Sequence, residues 1–213
     1  GSAFKPFVYL VALEHGFQPN TMILDAPFVI DQGEKLGKWK PENYGKIFYG
    51  PSPLRKGIEN SRNLMTIRIA QYLGMDKISE IAERTDILSE MPEILSMALG
   101  AGETTLLNLT KAYSSFVNGG DKVDPIFIDR IQDRRGTTIY KANLGSCSNC
   151  LDTFSKTNTK PKLINNKENI FSASHAYQVT SMLKGAVDRG TGRKTSFKGI
   201  EIAGKTGTTN NNT

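Results

Sequence analysis

The fold of this 213-residue chain depends on one apolar stretch near its start, Ser2-Ala3-Phe4-Lys5-Pro6-Phe7-Val8-Tyr9-Leu10-Val11-Ala12-Leu13. Phe4 to His15 is almost entirely apolar and is followed by Gly16, a residue type that commonly ends helices. The stretch therefore predicts a buried helix with Ser2 at its N-terminus. Free N–H groups and the helix dipole at that end favour developing negative charge.

Ser2 and Lys5 are spaced to act together. Residues three apart lie on the same face of a helix, so the Lys5 amine can take the proton of the Ser2 hydroxyl. A lysine is a base near neutral pH only when burial or neighbouring dipoles lower its pKa well below ~10.4. Ser2 alone would suit a helix N-cap. Together with two further motifs, it is predicted to be a nucleophile whose base is a partly buried Lys5.

The second motif is Ser61-Arg62-Asn63. The Ser61 hydroxyl can relay a proton from Lys5 to a leaving amine. The Asn63 amide carries both a donor and an acceptor, so it can hold Lys5 and a substrate carbonyl at once. We predict catalytic roles for both residues.

The third motif, Lys205-Thr206-Gly207-Thr208, lies in residues 200–209, which are predicted to form a strand. A strand edge can bind an extended peptide by main-chain pairing. Lys205 and the two threonine hydroxyls offer an anion site for a substrate carboxylate, and Gly207 leaves room for close approach. A backbone N–H near Thr208 can face an oxyanion. The three motifs together predict acyl transfer on a peptide.

In this order and spacing, the motifs resemble those of penicillin-binding proteins and serine β-lactamases. Further segments along the chain resemble the class A, bifunctional transpeptidase domain. They are Gly1-Ser2-Ala3-Phe4-Lys5-Pro6, Trp39-Lys40-Pro41-Glu42-Asn43-Tyr44, Asn60-Ser61-Arg62-Asn63-Leu64, Ala98-Leu99-Gly100, Glu103-Thr104-Thr105, Ala112-Tyr113, Asn118-Gly119-Gly120 and Arg189-Gly190-Thr191-Gly192.

The resemblance implies an α/β (α+β) fold in which a helical region packs on an antiparallel sheet. Residues 1–213 are then expected to be part of one transpeptidase domain, truncated at both ends. Members of the family carry strands before the nucleophile helix, and two more strands and a helix after the third motif. The parent protein is expected to add a membrane helix and a glycosyltransferase domain.

The implied activity is that of a D,D-transpeptidase that cross-links peptidoglycan stem peptides through a serine acyl-enzyme. The implied catalytic residues are Ser2, Lys5, Ser61 and Asn63, and the implied substrate-binding residues are Lys205, Thr206, Gly207 and Thr208. The expected partners are stem peptides, lipid-linked glycan strands and, as covalent inhibitors, β-lactams. No cofactor or metal is implied. The expected location is the extracytoplasmic side of a bacterial plasma membrane.

Two alternatives are a serine β-lactamase and a penicillin-binding sensor. A class A β-lactamase needs a glutamate in an E-x-x-L-N loop, and the nearest match, Glu103-Thr104-Thr105-Leu106-Leu107-Asn108, is one residue too long. A sensor would be acylated slowly and would form no cross-linked product. The presence of all the motif residues argues against an inactive site.

The charge distribution and the length of the apolar runs also limit the kinds of partner and segment that the sequence predicts. The net charge is +6, but the 27 lysines and arginines are scattered among 21 acidic residues and form no basic stripe with aromatic residues. We therefore expect no nucleic-acid partner. The sequence contains no apolar run of the ~18 residues that a membrane span needs.

Periodicity predicts four more helices, at Leu64–Leu73, Asp76–Thr85, Thr104–Val117 and Ser172–Val187. Ile126–Ile131 and Thr137–Tyr140 are predicted to form a hairpin. Gln18–Arg55 is rich in proline and glycine and is predicted to be a loop-rich crossing with short strands.

Residues 145–169 form a compositional outlier that is rich in Ser, Asn, Thr and Lys. We predict a mobile, loop-like surface insertion. It contains Cys147 and Cys150, for which a local disulfide is favoured over free thiols, and zinc is disfavoured because two cysteines are too few ligands.

Overall fold

The computed structural model describes residues 1–31, 37–142, 146–148, 162–164 and 167–208, with the backbone alone at 146–148 and 162–164. A 3₁₀ turn at Ser2–Phe4 leads directly into α1, Lys5–Glu14. Every residue of α1 from Lys5 to Leu13 is buried. The predicted helix is confirmed, and it runs through the centre of the hydrophobic core.

The described chain places further α-helices around α1. They are α2 (Leu54–Glu59), α3 (Asn63–Leu73), α4 (Met75–Arg84), α5 (Leu106–Val117) and α6 (Ala173–Arg189). Helix α1 packs against α2, α3, α4 and α6. Short 3₁₀ turns occur at Tyr44–Lys46, Leu95–Leu99 and Arg193–Thr195. The site described below lies where the N-terminal end of α1 meets that of α3.

The strands pair antiparallel, two at a time. The pairs are β1 (Met22–Asp25) with β4 (Gly50–Pro53), β2 (Ile30–Asp31) with β3 (Lys38–Trp39), β5 (Arg130–Gln132) with β6 (Thr138–Lys141), and β7 (Ser146–Ser148) with β8 (Lys162–Ile164). Helices combined with antiparallel strands agree with the predicted fold class. Within the described residues, the strands form separate ribbons and no larger sheet.

The four helices predicted from periodicity are all present, with ends that move by two residues or fewer. Thr105 caps α5, and Ser172 caps α6, through side-chain oxygens that accept backbone N–H groups. The hairpin at β5 and β6 is also present, but its first strand begins only at Arg130. Helix α2 was not predicted, because it is short and directly follows a proline-rich segment.

The strand predicted at residues 200–209 is wrong for the part that the structure describes. Residues 201–208 have no regular secondary structure. A strand requires a neighbouring strand for its backbone groups, and none of the described segments runs beside this one. Its hydrogen bonds go elsewhere: Gly204 N donates to Leu183 O of α6, at 3.2 Å.

Most of the predicted insertion at 145–169 lies outside the described residues. The backbone at 146–148 and 162–164 pairs as β7 and β8, so these two segments form an antiparallel ribbon. Cys150 and the side chain of Cys147 lie outside the described part, and their disulfide, thiol and zinc alternatives stay predictions.

Candidate active site

The first two motifs meet at the Lys5 amine. Lys5 Nζ donates to Ser61 O at 2.7 Å, to Ser61 Oγ at 3.3 Å and to Asn63 Oδ1 at 2.6 Å. Ser61 and Asn63, which lie 56 and 58 positions from Lys5 in the sequence, therefore bind the same amine. In its protonated form the amine has three hydrogens, which match these three acceptors.

Backbone geometry aims Ser61 at Lys5. Ser61 has φ +55, in the left-handed region that non-glycine residues seldom occupy. The turn between α2 and α3 is held by Ser61 N donating to Ile58 O at 3.2 Å and Arg62 N donating to Gly57 O at 2.8 Å. Such strained residues cluster at functional sites.

The third motif lies against the first two. Lys205 Nζ is 2.8 Å from Ser61 Oγ and 2.9 Å from Thr206 O. A Cβ built on Gly1 would come within 2.4 Å of Thr208 O, so the backbone of the third motif approaches the start of the α1 segment closely. Only glycine at position 1 permits this approach. The structure thus brings all three sequence motifs together.

Burial changes the chemistry of both lysines. The pKa of Lys5 is lowered to about 7, chiefly because the amine is buried and secondly because the positive charge of Lys205 lies nearby. The pKa of Lys205 is lowered to about 8 by burial. Both shifts favour the neutral amine. The prediction that Lys5 is buried is confirmed, and its burial is complete rather than partial.

Ser2 lies half-buried in the 3₁₀ turn before α1. Because the three hydrogen bonds of Lys5 Nζ go to Ser61 and Asn63, Lys5 is not hydrogen-bonded to Ser2 in this arrangement. The carbonyl and amide oxygens are stronger acceptors than a hydroxyl. A direct Ser2–Lys5 hydrogen bond therefore requires the amine to exchange one of its present partners.

Two backbone N–H groups point to an oxyanion site. In the part of the chain that the structure describes, neither Ser2 N nor Thr208 N has a hydrogen-bond acceptor. Ser2 N belongs to the N-terminal end of a helix, where N–H groups are normally free. Donors of this kind can stabilise a tetrahedral oxyanion.

The structure refines the roles predicted for Asn63 and Gly207. Asn63 Nδ2 already donates to Glu42 O at 2.7 Å, which leaves one amide hydrogen for a substrate carbonyl. A Cβ on Gly207 would lie 3.8 Å from Ala3 Cβ, an ordinary contact. The chain itself thus does not require glycine at position 207, and a need for it would have to come from a bound substrate.

Thr191 lies closer to the site than the sequence favours. Its Oγ1 lies 2.8 Å from Thr206 Oγ1, which places a third threonine hydroxyl beside the third motif. The sequence Gly190-Thr191-Gly192 predicts a turn, with lining of the site as the less favoured alternative. Glu103, the residue nearest to the β-lactamase pattern, is exposed just before α5.

Comparisons with known proteins agree with this geometry. Residues 1–213 match the family described as the penicillin binding protein transpeptidase domain. The chain therefore belongs to that family. None of its described helices is long and apolar enough to cross a membrane.

The relatives include class A proteins from several bacteria. The chain is 44% identical over 213 residues to penicillin-binding protein 1A of Rickettsia conorii, covering 99% of this chain and 27% of that protein. It is 36% identical over 245 residues to penicillin-binding protein 1A of Pseudomonas aeruginosa, covering 99% of this chain and 29% of that protein. The chain thus spans between a quarter and a third of the length of these relatives.

A solved structure has the same fold. The crystal structure of penicillin-binding protein 1A from Haemophilus influenzae matches with a TM-score of 0.82 and 29% sequence identity, covering 99% of this chain and 34% of that chain. The predicted resemblance to the class A penicillin-binding proteins and the predicted fold class are confirmed.

Proposed function

We propose that this chain carries the site of a D,D-transpeptidase that cross-links peptidoglycan stem peptides through an acyl-enzyme on Ser2. One observation supports this most strongly. A fully buried amine, Lys5, has its pKa lowered to about 7 and lies one helical turn from the Ser2 hydroxyl. At neutral pH, a large fraction of such an amine is unprotonated and can act as a base.

In the acylation step, neutral Lys5 takes the proton of the Ser2 hydroxyl while Ser2 Oγ attacks the donor carbonyl. The N–H groups of Ser2 and Thr208 donate to the oxyanion that forms. The proton then passes from Lys5, by way of Ser61 Oγ at 3.3 Å, to the nitrogen of the leaving D-alanine. The carbon–nitrogen bond breaks and a Ser2 ester remains.

The second half-reaction runs the same path in reverse. An amine of a neighbouring stem peptide attacks the Ser2 ester and gives up a proton through Ser61 and Lys5. A new amide bond forms, and the ester bond to Ser2 Oγ breaks as the hydroxyl regains its proton. Enzyme and base return to their starting states.

The third motif supplies the recognition of the donor. The Lys205 amine lies beside Thr206, and the hydroxyls of Thr206 and Thr191 lie 2.8 Å apart, so one cation and two hydroxyl groups are close together. Thr208 is expected to add a third hydroxyl. A substrate carboxylate suits this set. The same carboxylate occurs in penicillins, so β-lactams are expected to acylate Ser2 as covalent inhibitors.

The partners and location of the whole protein belong to the same proposal. They are peptidoglycan stem peptides and lipid-linked glycan strands as substrates, with the parent protein anchored in the plasma membrane of a bacterium. The site would then face the extracytoplasmic side. The similarity to penicillin-binding protein 1A relatives supports this assignment.

The direct test is a product analysis. The full-length protein is incubated with a donor peptide ending in D-Ala-D-Ala and with an isotopically labelled D-amino acid as acceptor, and products are identified by mass spectrometry. We expect a donor–acceptor amide and release of D-alanine, both abolished in Ser2→Ala. Rapid repeated hydrolysis of penicillin would instead identify a β-lactamase. A stoichiometric penicillin adduct without peptide products would identify a sensor.

A further inference from the structure

The helix that carries the second motif is capped by a residue from elsewhere in the chain. Asn43 lies between β3 and the 3₁₀ turn at Tyr44–Lys46 and is only 6% exposed. Its Oδ1 accepts from Asn63 N at 2.9 Å and from Leu64 N at 3.3 Å. These are the first N–H groups of α3, and the residue at the cap position, Arg62, makes no side-chain cap of its own.

The other end of the Asn43 amide is fixed as well. Its Nδ2 donates to Asp25 Oδ1 at 2.7 Å and to Ile47 O at 3.0 Å. A flipped amide would point hydrogens at the N–H groups of α3 and an oxygen at a carboxylate. The partners therefore determine one orientation.

Asp25 is fully buried and is held on its second oxygen too. Arg62 Nη1 lies 3.2 Å from Asp25 Oδ2 and donates to Ser52 Oγ at 3.1 Å. The Arg62 guanidinium stacks 3.7 Å from the centre of the Tyr49 ring. Because the charge of Asp25 is compensated, its oxygen can act as a fixed acceptor for Asn43.

We propose that Asn43, oriented by Asp25, is a positioning residue for acylation. It fixes the first turn of α3 and so sets where Asn63 Oδ1 meets the Lys5 amine, 2.6 Å away. The inference rests on the proposed function, since it concerns the rate at which Ser2 is acylated. Displacing a reacting group by about 1 Å can cost on the order of 10²-fold in rate.

The test exchanges donor and acceptor across the Asn43–Asp25 hydrogen bond. Asn43→Asp places two carboxylates where one hydrogen bond was, and we expect the acylation rate constant for a fluorescent penicillin to fall about 10- to 100-fold. Adding Asp25→Asn restores the hydrogen bond with its direction reversed, so that the residue at position 25 donates and the residue at position 43 accepts. The rate constant of the double variant should be at least about tenfold higher than that of Asn43→Asp alone. A residue with a merely structural role would change the amount of folded protein and not the rate constant of the folded molecules, so neither the loss nor the rescue of the rate constant would be seen.

Ser172→Ala is the matched control. It removes the side-chain cap of another helix, α6, in which Ser172 Oγ accepts from His175 N at 3.2 Å. It should lower the thermal midpoint and leave the rate constant unchanged. The rate constant is taken from the exponential phase on the full-length protein, so unfolded molecules reduce the amplitude only. If Asn43→Asp gives no folded protein, Asn43→Ser replaces it, with the same expected loss of rate.

The outcomes separate this inference from the proposed function. Acylation of the wild type at Ser2 together with an unchanged rate in Asn43→Asp, or no rescue by Asp25→Asn, would overturn the positioning role alone. A wild type that is not acylated at Ser2 would overturn the proposed function and the positioning role together.

Discussion

Lys5 brings an amine into an apolar core, where an ionised group is costly unless it is paired. Among the described residues no carboxylate forms an ion pair with Lys5, and its three partners are uncharged oxygens. Such a setting accepts hydrogen bonds from the amine but does not compensate a full positive charge. The site therefore favours the neutral base that the proposed acylation step requires.

The role of Lys5 as a base predicts the effect of Lys5→Arg. Arginine keeps the positive charge but cannot lose its proton. The acylation rate of Ser2 should fall on the order of 10²–10⁴-fold, the usual contribution of general-base catalysis. The measurement is the rate of covalent penicillin labelling, with thermal unfolding as the control for folding. Near-normal acylation in Lys5→Arg would contradict the role.

The lowered pKa of Lys5 also predicts a pH profile. Below its pKa of about 7 the amine is protonated and cannot accept the Ser2 proton, so acylation should rise with pH through about 7. It should fall again above about 8, where Lys205 loses the positive charge that is expected to hold the carboxylate. Lys205→Gln removes a neighbouring positive charge that helps to lower this pKa. The midpoint in that variant should therefore move to higher pH. Labelling rates between pH 5.5 and 9 test this, and a midpoint that stays or moves down would contradict it.

Lys205 is further expected to recognise the substrate carboxylate. Lys205→Gln should slow acylation by carboxylate-bearing β-lactams much more than acylation by a neutral ester analogue, because only the former loses a charge-assisted contact. Thr191→Val, which removes the hydroxyl beside Thr206, should show the same preference with a smaller loss. Equal losses for both ligands would mean that the contact is assigned wrongly.

At the scale of elements, helices α2 and α6 are joined by a buried charge. The Glu59 side chain is fully buried and accepts from Arg189 Nε at 3.1 Å, and Arg189 Nη2 also contacts it. Glu59 O also accepts from Thr191 N at 3.0 Å. The contact between α2 and α6 therefore extends to Thr191, whose hydroxyl lies beside the third motif.

This joint predicts a loss of stability in Arg189→Met. The variant leaves the Glu59 carboxylate with Arg55 and Lys56, which lie 3.6 and 3.5 Å away and are partly exposed. The free energy of unfolding should fall by about 1.5–3 kcal/mol, the usual range for a hydrogen bond to a charged group. Lys56→Met is the matched control and should cost less than about 1 kcal/mol. Urea unfolding measures both, and equal losses would contradict the stronger role of Arg189.

The helices and strands also show which elements could be predicted from the sequence. Long apolar periodicity predicted α1, α3, α4, α5 and α6, because burial of one face or of the whole helix leaves a pattern in the sequence. The six-residue helix α2 carries too few turns for such a pattern. The strand predicted at 200–209 failed because strand formation depends on a neighbour, which a local pattern does not contain.

At the scale of the whole molecule, the motif residues meet across long sequence separations. Lys205 and Ser61 are 144 positions apart, and Lys5 and Asn63 are 58 apart. The motifs themselves predicted Ser2, Lys5, Ser61, Asn63 and Lys205. Asn43 and Asp25 were not predicted as site residues, and Thr191 was favoured as a turn residue, because their contribution arises from contacts between distant segments and from no spacing of their own.

The central claim is that Ser2 is the residue that becomes acylated. It is tested most directly by reacting the full-length protein with a penicillin, digesting it and locating the adduct by mass spectrometry. We predict one adduct, with the mass of the intact penicillin, on the peptide that contains Ser2, and none in Ser2→Ala. An adduct on Ser61 or on any other residue, or no adduct at all, would contradict the claim.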